Sequence, residues 1–136
     1  MILVDISAWI EYDRATGSAA DKRISSQIKR NGPLAVTEPV VMEVIAGARN
    51  DQAEKSLRGL LARFELLRFD AIADFDAAAS IYRRCRSEGA TPRGMIDCMI
   101  AAVAWRHQAT VLAHDVDFDR MAGVVGIELD RASLRA

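Results

Sequence analysis

The sequence predicts an α/β fold in which a parallel sheet is covered by helices on both faces. Short apolar runs alternate along the 136 residues with longer segments of helical periodicity, and such alternation is typical of parallel sheets. Hydrophobic residues make up 51% of the chain, which is enough for one well-filled core. The sequence has no repeat or linker, and we therefore expect a single domain over residues 1–136.

The first half of the chain predicts three strands and four helices. Residues 2–5 are an apolar run that ends at Asp5, which is typical of a buried strand, and Ser7 suits the N-cap of the first helix. The sequence Asn31-Gly32-Pro33 ends the second helix. The other expected elements are a strand over 34–37, a helix from 37–39 to 47–50, a helix over 51–64 and a strand over 66–70.

The second half continues the alternation. Apolar residues recur at helical spacing from Phe75, which should face inward, to Cys85, and Gly89 suits the end of this fifth helix. Thr91 and Pro92 fit the N-cap and the first position of a sixth helix. The remaining expected elements are a strand over 110–113, a short helix over 115–121, an edge strand over 125–129 and a polar tail.

The charge and the cysteines limit the class of protein. A net charge of −1 gives no strong overall attraction to nucleic acid or membrane, although the basic residues are mostly Arg, which suits phosphate contacts. GC-rich coding would give the same Arg bias. Cys85 and Cys98 lie in apolar helical patterns without metal-type partners, which predicts a reduced, cytoplasmic protein. We expect no signal peptide and no membrane span, since the longest apolar stretch is Met99–Trp105.

Acidic residues follow two of the predicted strands. Asp5 ends the first strand, and Asp115 and Asp117 come just after the fourth. In open parallel sheets, ligands bind beyond the carboxyl ends of the strands where the strand order reverses. These three carboxylates therefore converge if the first and fourth strands are neighbours. Each of them alone could instead be an ordinary helix-capping or first-turn residue.

Two more acidic residues lie on predicted helices. Glu43 has no basic residue three or four positions away, whereas Asp97 has only Arg93 at that spacing. An exposed position would explain either carboxylate. Arg93 could pair with a carboxylate or bind a scissile phosphate, and the sequence leaves both roles open.

Several carboxylates cannot all be ionised within ~5 Å of one another unless a cation lies among them. Oxygen ligands without a His or Cys cluster favour Mg²⁺, with Mn²⁺ as the alternative, over Zn²⁺. Such ions act on phosphates by activating water and neutralising developing charge. We therefore expect a Mg²⁺ site and phosphate chemistry.

Four motifs are spread in order along nearly the whole chain. They are Ile2-Leu3-Val4-Asp5-x-Ser7, Glu38-Pro39-x-x-x-Glu43-Val44, Ile96-Asp97-x-x-Ile100-Ala101-Ala102 and His114-Asp115-x-Asp117-Phe118. Together they resemble the motifs of PIN-domain nucleases and, within that group, of the VapC toxins of bacterial toxin–antitoxin pairs. The resemblance implies a five-stranded parallel sheet of order 3-2-1-4-5 between helices.

The resemblance also implies a Mg²⁺- or Mn²⁺-dependent endoribonuclease that hydrolyses tRNA or rRNA and so inhibits translation and growth. The implied catalytic quartet is Asp5, Glu43, Asp97 and Asp115. Asp5, Asp97 and Asp115 would hold the metal, and Asp117 matches a further ligand position. Glu43 would be a second ligand or the group that orients and deprotonates water. Ser7 matches a position that orients water or substrate, and Arg93 is the other candidate for that role.

The same resemblance implies two protein partners. A VapB-type antitoxin would cover the cleft with its C-terminal segment and insert a basic side chain among the acids. A second copy of the chain would complete a homodimer.

Two other classes fit less well. A receiver-like phosphoacceptor needs a Lys after a late strand, but Lys22, Lys29 and Lys55 all lie in the first half. A non-catalytic PIN-like RNA-binding module is the alternative to the nuclease, and the complete set of acidic residues counts against it.

Overall fold

A computed structural model, which describes residues 1–130, has a parallel sheet flanked by helices. Its four strands are β1 (Ile2–Val4), β2 (Leu34–Val36), β3 (Glu65–Leu66) and β4 (Thr110–Leu112). Their order is β3-β2-β1-β4, and every neighbouring pair is parallel. The predicted fold class is confirmed, and β1 lies beside β4 as the convergence of the acidic residues requires. The expected polar tail falls largely on residues 131–136, outside the described residues.

Seven helices are described in residues 1–130. They are α1 (Ile6–Asp13), α2 (Ala19–Lys29), α3 (Glu38–Ala46), α4 (Asp51–Leu61), α5 (Ala73–Ser87), α6 (Met95–His107) and α7 (Asp117–Val125). No helix of this part of the chain has the length and apolar character to cross a bilayer.

The predicted edge strand over 125–129 is wrong in its extent. Only Leu129 pairs with the sheet, through a single parallel bridge to Val111 in β4. The N–H of Val111 donates to the carbonyl of Glu128 at 2.9 Å. The strand is this short because α7 runs into the segment and Gly126 then turns the chain with a φ of 77°. The edge position beside β4 agrees with the expected order.

Two predicted boundaries near the third strand and the sixth helix are also wrong. β3 covers only two residues, because the N–H of Phe69 donates at 2.7 Å to the carboxylate of Glu38 instead of to a strand. α6 begins after Gly94, which has an extended backbone, and not at Thr91 and Pro92. The short helix before the edge bridge is likewise shifted, to Asp117–Val125 from the expected 115–121.

The core lies around β1 and β4, whose residues Leu3, Val4, Val111 and Leu112 are fully buried. Four residues of α6 belong to the same core, namely Ile100, Ala101, Val103 and Ala104. Such burial on both sides of the strands explains why β1 and β4 are visible in the sequence as unbroken apolar runs.

The fifth helix has one wrong prediction and two correct ones. Phe75 is 55% exposed and packs edge-on against Phe69 at 4.7 Å, whereas we expected it to face inward. Gly89 ends the helix with a φ of 75°, as predicted. Cys85 is buried and free, as predicted, and so is Cys98 on α6.

An ion pair between the buried Asp74 and the more exposed Arg106 joins α5 to the end of α6. Both carboxylate oxygens of Asp74 accept hydrogen bonds from Arg106, at 2.9 and 2.7 Å, and Arg106 also donates to the carbonyl of Arg68 at 2.6 Å. Burial raises the pKa of Asp74, but the hydrogen bonds from Arg106 and Asp70 outweigh this and hold that pKa below its usual value. This pair fixes the approach of the β3–α5 loop to α6.

Candidate active site

Asp5 occupies the point where β1 turns into α1. Its backbone N–H donates to the carbonyl of Leu112 at 2.8 Å, which carries the pairing of β1 with β4 one residue beyond the strand. Asp5 is the N-cap of α1, and its Oδ2 accepts the N–H of Ser7 at 3.0 Å. The predicted capping role of Ser7 is therefore wrong. Both residue types cap well, and the residue nearer the strand end takes the position.

Ser7 instead connects the two strand ends. Its hydroxyl donates to Oδ2 of Asp5 at 2.6 Å and accepts the backbone N–H of His114 at 2.9 Å. The N–H of Asp115 also points to this oxygen at 3.3 Å. One hydroxyl therefore fixes the end of β1 against the loop that follows β4, and it sets the distance between Asp5 and Asp115.

Asp115 and Asp117 lie in the loop after β4 and at the start of α7. Oδ1 of Asp115 accepts the N–H of Asp117 at 2.9 Å, so Asp115 also stabilises the turn into the helix. The side chains are 23% and 12% exposed. Asp115 and Asp117 thus stabilise the start of the helix and also belong to the acidic site.

Asp97 lies in the first turn of α6 and faces the other acids. Its pKa is raised to about 7, first by burial and then by the negative charges of Asp5, Asp115, Glu43 and Asp117. The other four predicted acidic residues therefore all lie within electrostatic reach of Asp97. The structure places around this residue the carboxylates that the sequence placed on separate elements.

Asp5 itself is almost completely buried, at 1% exposure. Burial raises its pKa to about 6, although the hydrogen bonds from Ser7 act in the opposite direction. Its Oδ1 is buried and has no hydrogen-bond partner within residues 1–130. A buried carboxylate oxygen without a partner is unfavourable unless a cation or a polar ligand completes it.

Thr37 is a polar residue at this edge that we did not identify from the sequence. It directly follows β2, as Asp5 follows β1, and it is fully buried. Its hydroxyl lacks a hydrogen-bond partner within the described part of the chain. The position of Thr37 immediately after an apolar strand was the available signal.

The donor types fit a hard divalent cation, although the side chains are not gathered around one point. Among residues 1–130, no group of three or more His, Cys, Asp or Glu side chains stands ready to hold a metal ion. The donors are nevertheless all carboxylate oxygens, Oδ1 of Asp5 has no partner in the same residues, and the charges repel one another. Mg²⁺ and Mn²⁺ prefer such oxygen ligands.

Arg93 contacts the acidic site from the loop before α6. Its Nε lies 2.9 Å from Oδ2 of Asp117, and its Nη2 lies 3.6 Å from Oδ1 of Asp115. Arg120 is farther away, at 3.9 Å from Oδ1 of Asp117. Sequence spacing suggested Asp97 as the partner of Arg93, but the described ion pairs of Arg93 are with the other two aspartates. The loop geometry places Arg93 across the site toward α7.

Glu43 connects the acidic site to a groove between α1, α3 and α4. The groove has a volume of about 590 Å³. Its apolar lining includes Ile6, Trp9, Ile10, Val44 and Leu57, and its charged lining includes Asp13, Arg14, Glu43 and Arg49. Glu43 thus belongs both to the lining of this groove and to the carboxylates around Asp97.

Comparison with known proteins identifies relatives over nearly the whole chain. The PIN domain family matches residues 2–124. Ribonuclease VapC11 of Mycobacterium tuberculosis is 41% identical over 129 residues, which cover 94% of this chain and 96% of that protein.

Two solved structures have the same fold. VapBC2 from Rickettsia felis, bound to a DNA fragment from its promoter, has a TM-score of 0.76 at 19% identity and covers 96% of this chain and 98% of its own. VapBC-1 from nontypeable Haemophilus influenzae has a TM-score of 0.74 at 21% identity, with coverage of 96% and 97%.

The repulsion among the carboxylates predicts that Asp97→Asn stabilises the metal-free protein. Because the pKa of Asp97 is about 7 in the folded protein against an ordinary value of 3.8, folding loses stability as the pH rises from about 4 through 7. In EDTA at about pH 8 the variant should melt ~3 °C or more above the parent. The gain should shrink as the pH falls through 7 and should vanish below the ordinary pKa of 3.8, where the carboxyl group is protonated in both states.

Differential scanning calorimetry measures this difference. Asp51→Asn, at an exposed acidic residue in the first turn of α4, is the matched control and should shift the melting temperature little. A variant that melts below the parent at the higher pH would mean that Asp97 is not repelled by its neighbours.

Proposed function

The chain belongs to the PIN-domain family and to its VapC branch, and on this premise we propose that it is a divalent-metal-dependent endoribonuclease, the toxin of a VapBC pair. The main support is the convergence of Asp5, Glu43, Asp97, Asp115 and Asp117 at one edge of the sheet, with a buried carboxylate oxygen that has no partner among residues 1–130. The reaction is hydrolysis of RNA phosphodiester bonds.

Mg²⁺, or Mn²⁺ in its place, would be held by Asp5, Asp97 and Asp115, with Asp117 as a further ligand. Such an ion supplies an activated water and neutralises charge on the phosphate. Ser7 positions these ligands, since its hydroxyl holds Oδ2 of Asp5 and leaves Oδ1 available to the ion. It also holds the backbone before Asp115.

Glu43 would orient the attacking water and accept its proton. The water oxygen forms the new bond to phosphorus, and the bond from phosphorus to the 3′-oxygen breaks. The products are then a 5′-phosphate and a 3′-hydroxyl. Glu43 suits this role because it lies on a different helix from the other acids and approaches them from the side of the groove.

The substrate class that we propose is tRNA or rRNA, whose cleavage would inhibit translation and growth. Sequence-specific RNA recognition mostly uses single-stranded loops with bases that are free to leave the stack. A site at the edge of an open sheet is accessible to such a loop. A non-catalytic RNA-binding module is the alternative, and RNA cleavage assays separate the two functions.

The nuclease proposal predicts that Asp5→Asn, Asp97→Asn and Asp115→Asn each lower RNA cleavage on the order of 100-fold or more, because each removes a negative charge that would hold the divalent ion. Cleavage of purified tRNA and rRNA should require Mg²⁺ or Mn²⁺ and should stop with EDTA. End mapping should find 5′-phosphates. Asp51→Asn should cut like the parent.

Two outcomes would reject the nuclease. Either the carboxylate variants cut as fast as the parent, or the parent cuts no RNA with any divalent ion. Retained RNA binding in the second case would favour the binding module.

We further propose that the groove between α1, α3 and α4 binds a VapB-type antitoxin. The solved neighbours are described as VapBC complexes. An amphipathic segment would bury its apolar side on Ile6, Ile10 and Leu57, which line the groove and are at least partly exposed. Since Glu43 lines the groove, a basic side chain of that segment would reach the carboxylates and neutralise them.

This proposal predicts that Ile10→Asp weakens capture of the antitoxin by about 30-fold or more, because a charge would enter an apolar anchor site. The antitoxin to test is the product of any short open reading frame that adjoins this gene, and calorimetric titration gives its affinity. Met42→Asp is the control, since Met42 is 56% exposed on α3 outside the groove lining. Equal binding by both variants would place the antitoxin elsewhere.

A homodimer through α5 is the third element of the proposed function. The exposed face of α5 has Asp76 toward its start, Ala79 and Ser80 in the middle, and Arg83 toward its end. In an antiparallel pair centred between Ala79 and Ser80, Asp76 of each copy faces Arg83 of the other. Neither residue makes an ion pair within residues 1–130.

Exposed apolar side chains beside this face support the same surface. Phe75 is 55% exposed and Trp105, on the neighbouring α6, is 64% exposed. Large apolar residues that border a self-complementary charge pattern are typical of an interface between two identical subunits.

The dimer proposal predicts opposite results for a single and a double charge change. Arg83→Asp should weaken dimerisation by about tenfold or more, because two pairs of like charges would meet. Asp76→Arg combined with Arg83→Asp should restore it, since the charges again alternate. Sedimentation velocity measures both, and a monomeric parent or an unchanged single variant would refute this interface.

A further inference from the structure

We propose that Arg93 is an exchangeable cation of the acidic site, which pairs with Asp115 and Asp117 in the ion-free protein and moves to an RNA phosphate when a divalent ion binds. This inference rests on the proposed nuclease function. It assigns to one side chain both of the roles that the sequence left open.

The contacts of Arg93 support exchange because its described ion pairs involve only the guanidinium group at the end of the side chain. Its guanidinium lies 2.9 Å from Asp117 and 3.6 Å from Asp115, yet the side chain is 76% exposed. Oδ2 of Asp117 accepts no hydrogen bond within residues 1–130, so the pairing is one of charge without good hydrogen-bond geometry. The guanidinium can therefore leave without disturbing packed side chains.

The position of Arg93 in the chain also permits movement. It lies in the loop between α5 and α6, directly before Gly94, the N-cap of α6. Its backbone is outside the regular elements, whereas Asp97 is held by the first turn of α6. A rotation of the Arg93 side chain therefore changes the charge at the site while the carboxylates stay in place.

Competition between the two cations follows from their shared partner. Asp115 is a proposed ligand of the divalent ion and is also a partner of Arg93. Two cations at the same carboxylate repel each other, so a bound ion disfavours Arg93 in its present position. By linkage, Arg93 in that position must weaken ion binding by the same factor.

A displaced Arg93 would lie at the edge of the site with its donors free. A guanidinium presents a planar fork of donors that matches two oxygens of a phosphate. Asp115 and Asp117 would hold the ion at the scissile phosphate, so Arg93, which contacts both residues, would lie within reach of that phosphate. Arg93 then changes from a partner of the carboxylates to a partner of the RNA.

The test separates ion binding from activity. Mn²⁺ is titrated by isothermal calorimetry into the RNA-free parent, Arg93→Ala, Arg93→Lys and, as a control, Arg86→Ala on the exposed face of α5. Arg93→Ala should bind Mn²⁺ about 5-fold or more tightly than the parent, because no resident cation has to leave. Arg93→Lys and Arg86→Ala should bind Mn²⁺ much as the parent does.

RNA cleavage at saturating Mn²⁺ tests the second half of the exchange. Arg93→Ala should raise KM for RNA by about tenfold with a smaller change in kcat, because alanine cannot bind the substrate phosphate. Arg93→Lys should lie between, since Lys keeps the charge but not the fork.

The outcomes distinguish this inference from the function on which it rests. A parent that binds Mn²⁺ and cuts RNA, with an Arg93→Ala variant of equal or weaker Mn²⁺ affinity, overturns the exchange and leaves the nuclease intact. An unchanged KM overturns the phosphate contact. A parent that binds no divalent ion and cuts no RNA overturns the nuclease proposal and this inference together.

Discussion

The parallel pairing of β1 with β4 is the constraint on which the acidic site depends. The register sets Ile2 opposite Thr110 and Val4 opposite Leu112, so Asp5 leaves the sheet beside the loop that carries Asp115. Because side chains alternate between the two faces of a sheet, a slip of one residue would turn the Asp5 side chain to the opposite face, away from the loop that carries Asp115. Such a slip would also move Asp5 into the fully buried position of Val4, where its charge would have no partner. The apolar core thus determines where the carboxylates meet.

The features that the sequence predicts well are those that one strong local pattern specifies. β1 and β4 are continuous apolar runs because both of their faces are buried, and the end of α5 at Gly89 needs the positive φ that glycine adopts readily. β3 and the bridge at Leu129 are short pairings at the sheet edges, where tertiary contacts decide which residues pair. No local pattern distinguishes such residues from the adjoining loop.

The candidate site, like the fold, has features that a local sequence pattern predicts and features that depend on tertiary contacts. A carboxylate after each of two neighbouring buried strands is visible in the sequence, so the meeting of Asp5 with Asp115 could be predicted. The bridge made by Ser7 and the choice of partner by Arg93 depend on side-chain positions across elements that are far apart in the sequence. Spacing along one helix suggested Asp97 for Arg93, since it could not reveal that the loop before α6 faces α7.

An acidic site that must bind different cations in turn cannot have any one of them bound permanently. The raised pKa values of Asp5 and Asp97 mean that burial and mutual repulsion disfavour their ionised forms. The fold nevertheless keeps these carboxylates close together. A resident buried cation would relieve the repulsion, but it would also occupy the place of the catalytic ion. In the proposed scheme the divalent ion, the antitoxin's basic residue and Arg93 compete for the same carboxylates. The side chain of Arg93 is mostly exposed to solvent, so it does not occupy the site permanently. The unrelieved charge is therefore what allows one site to bind each of them in turn.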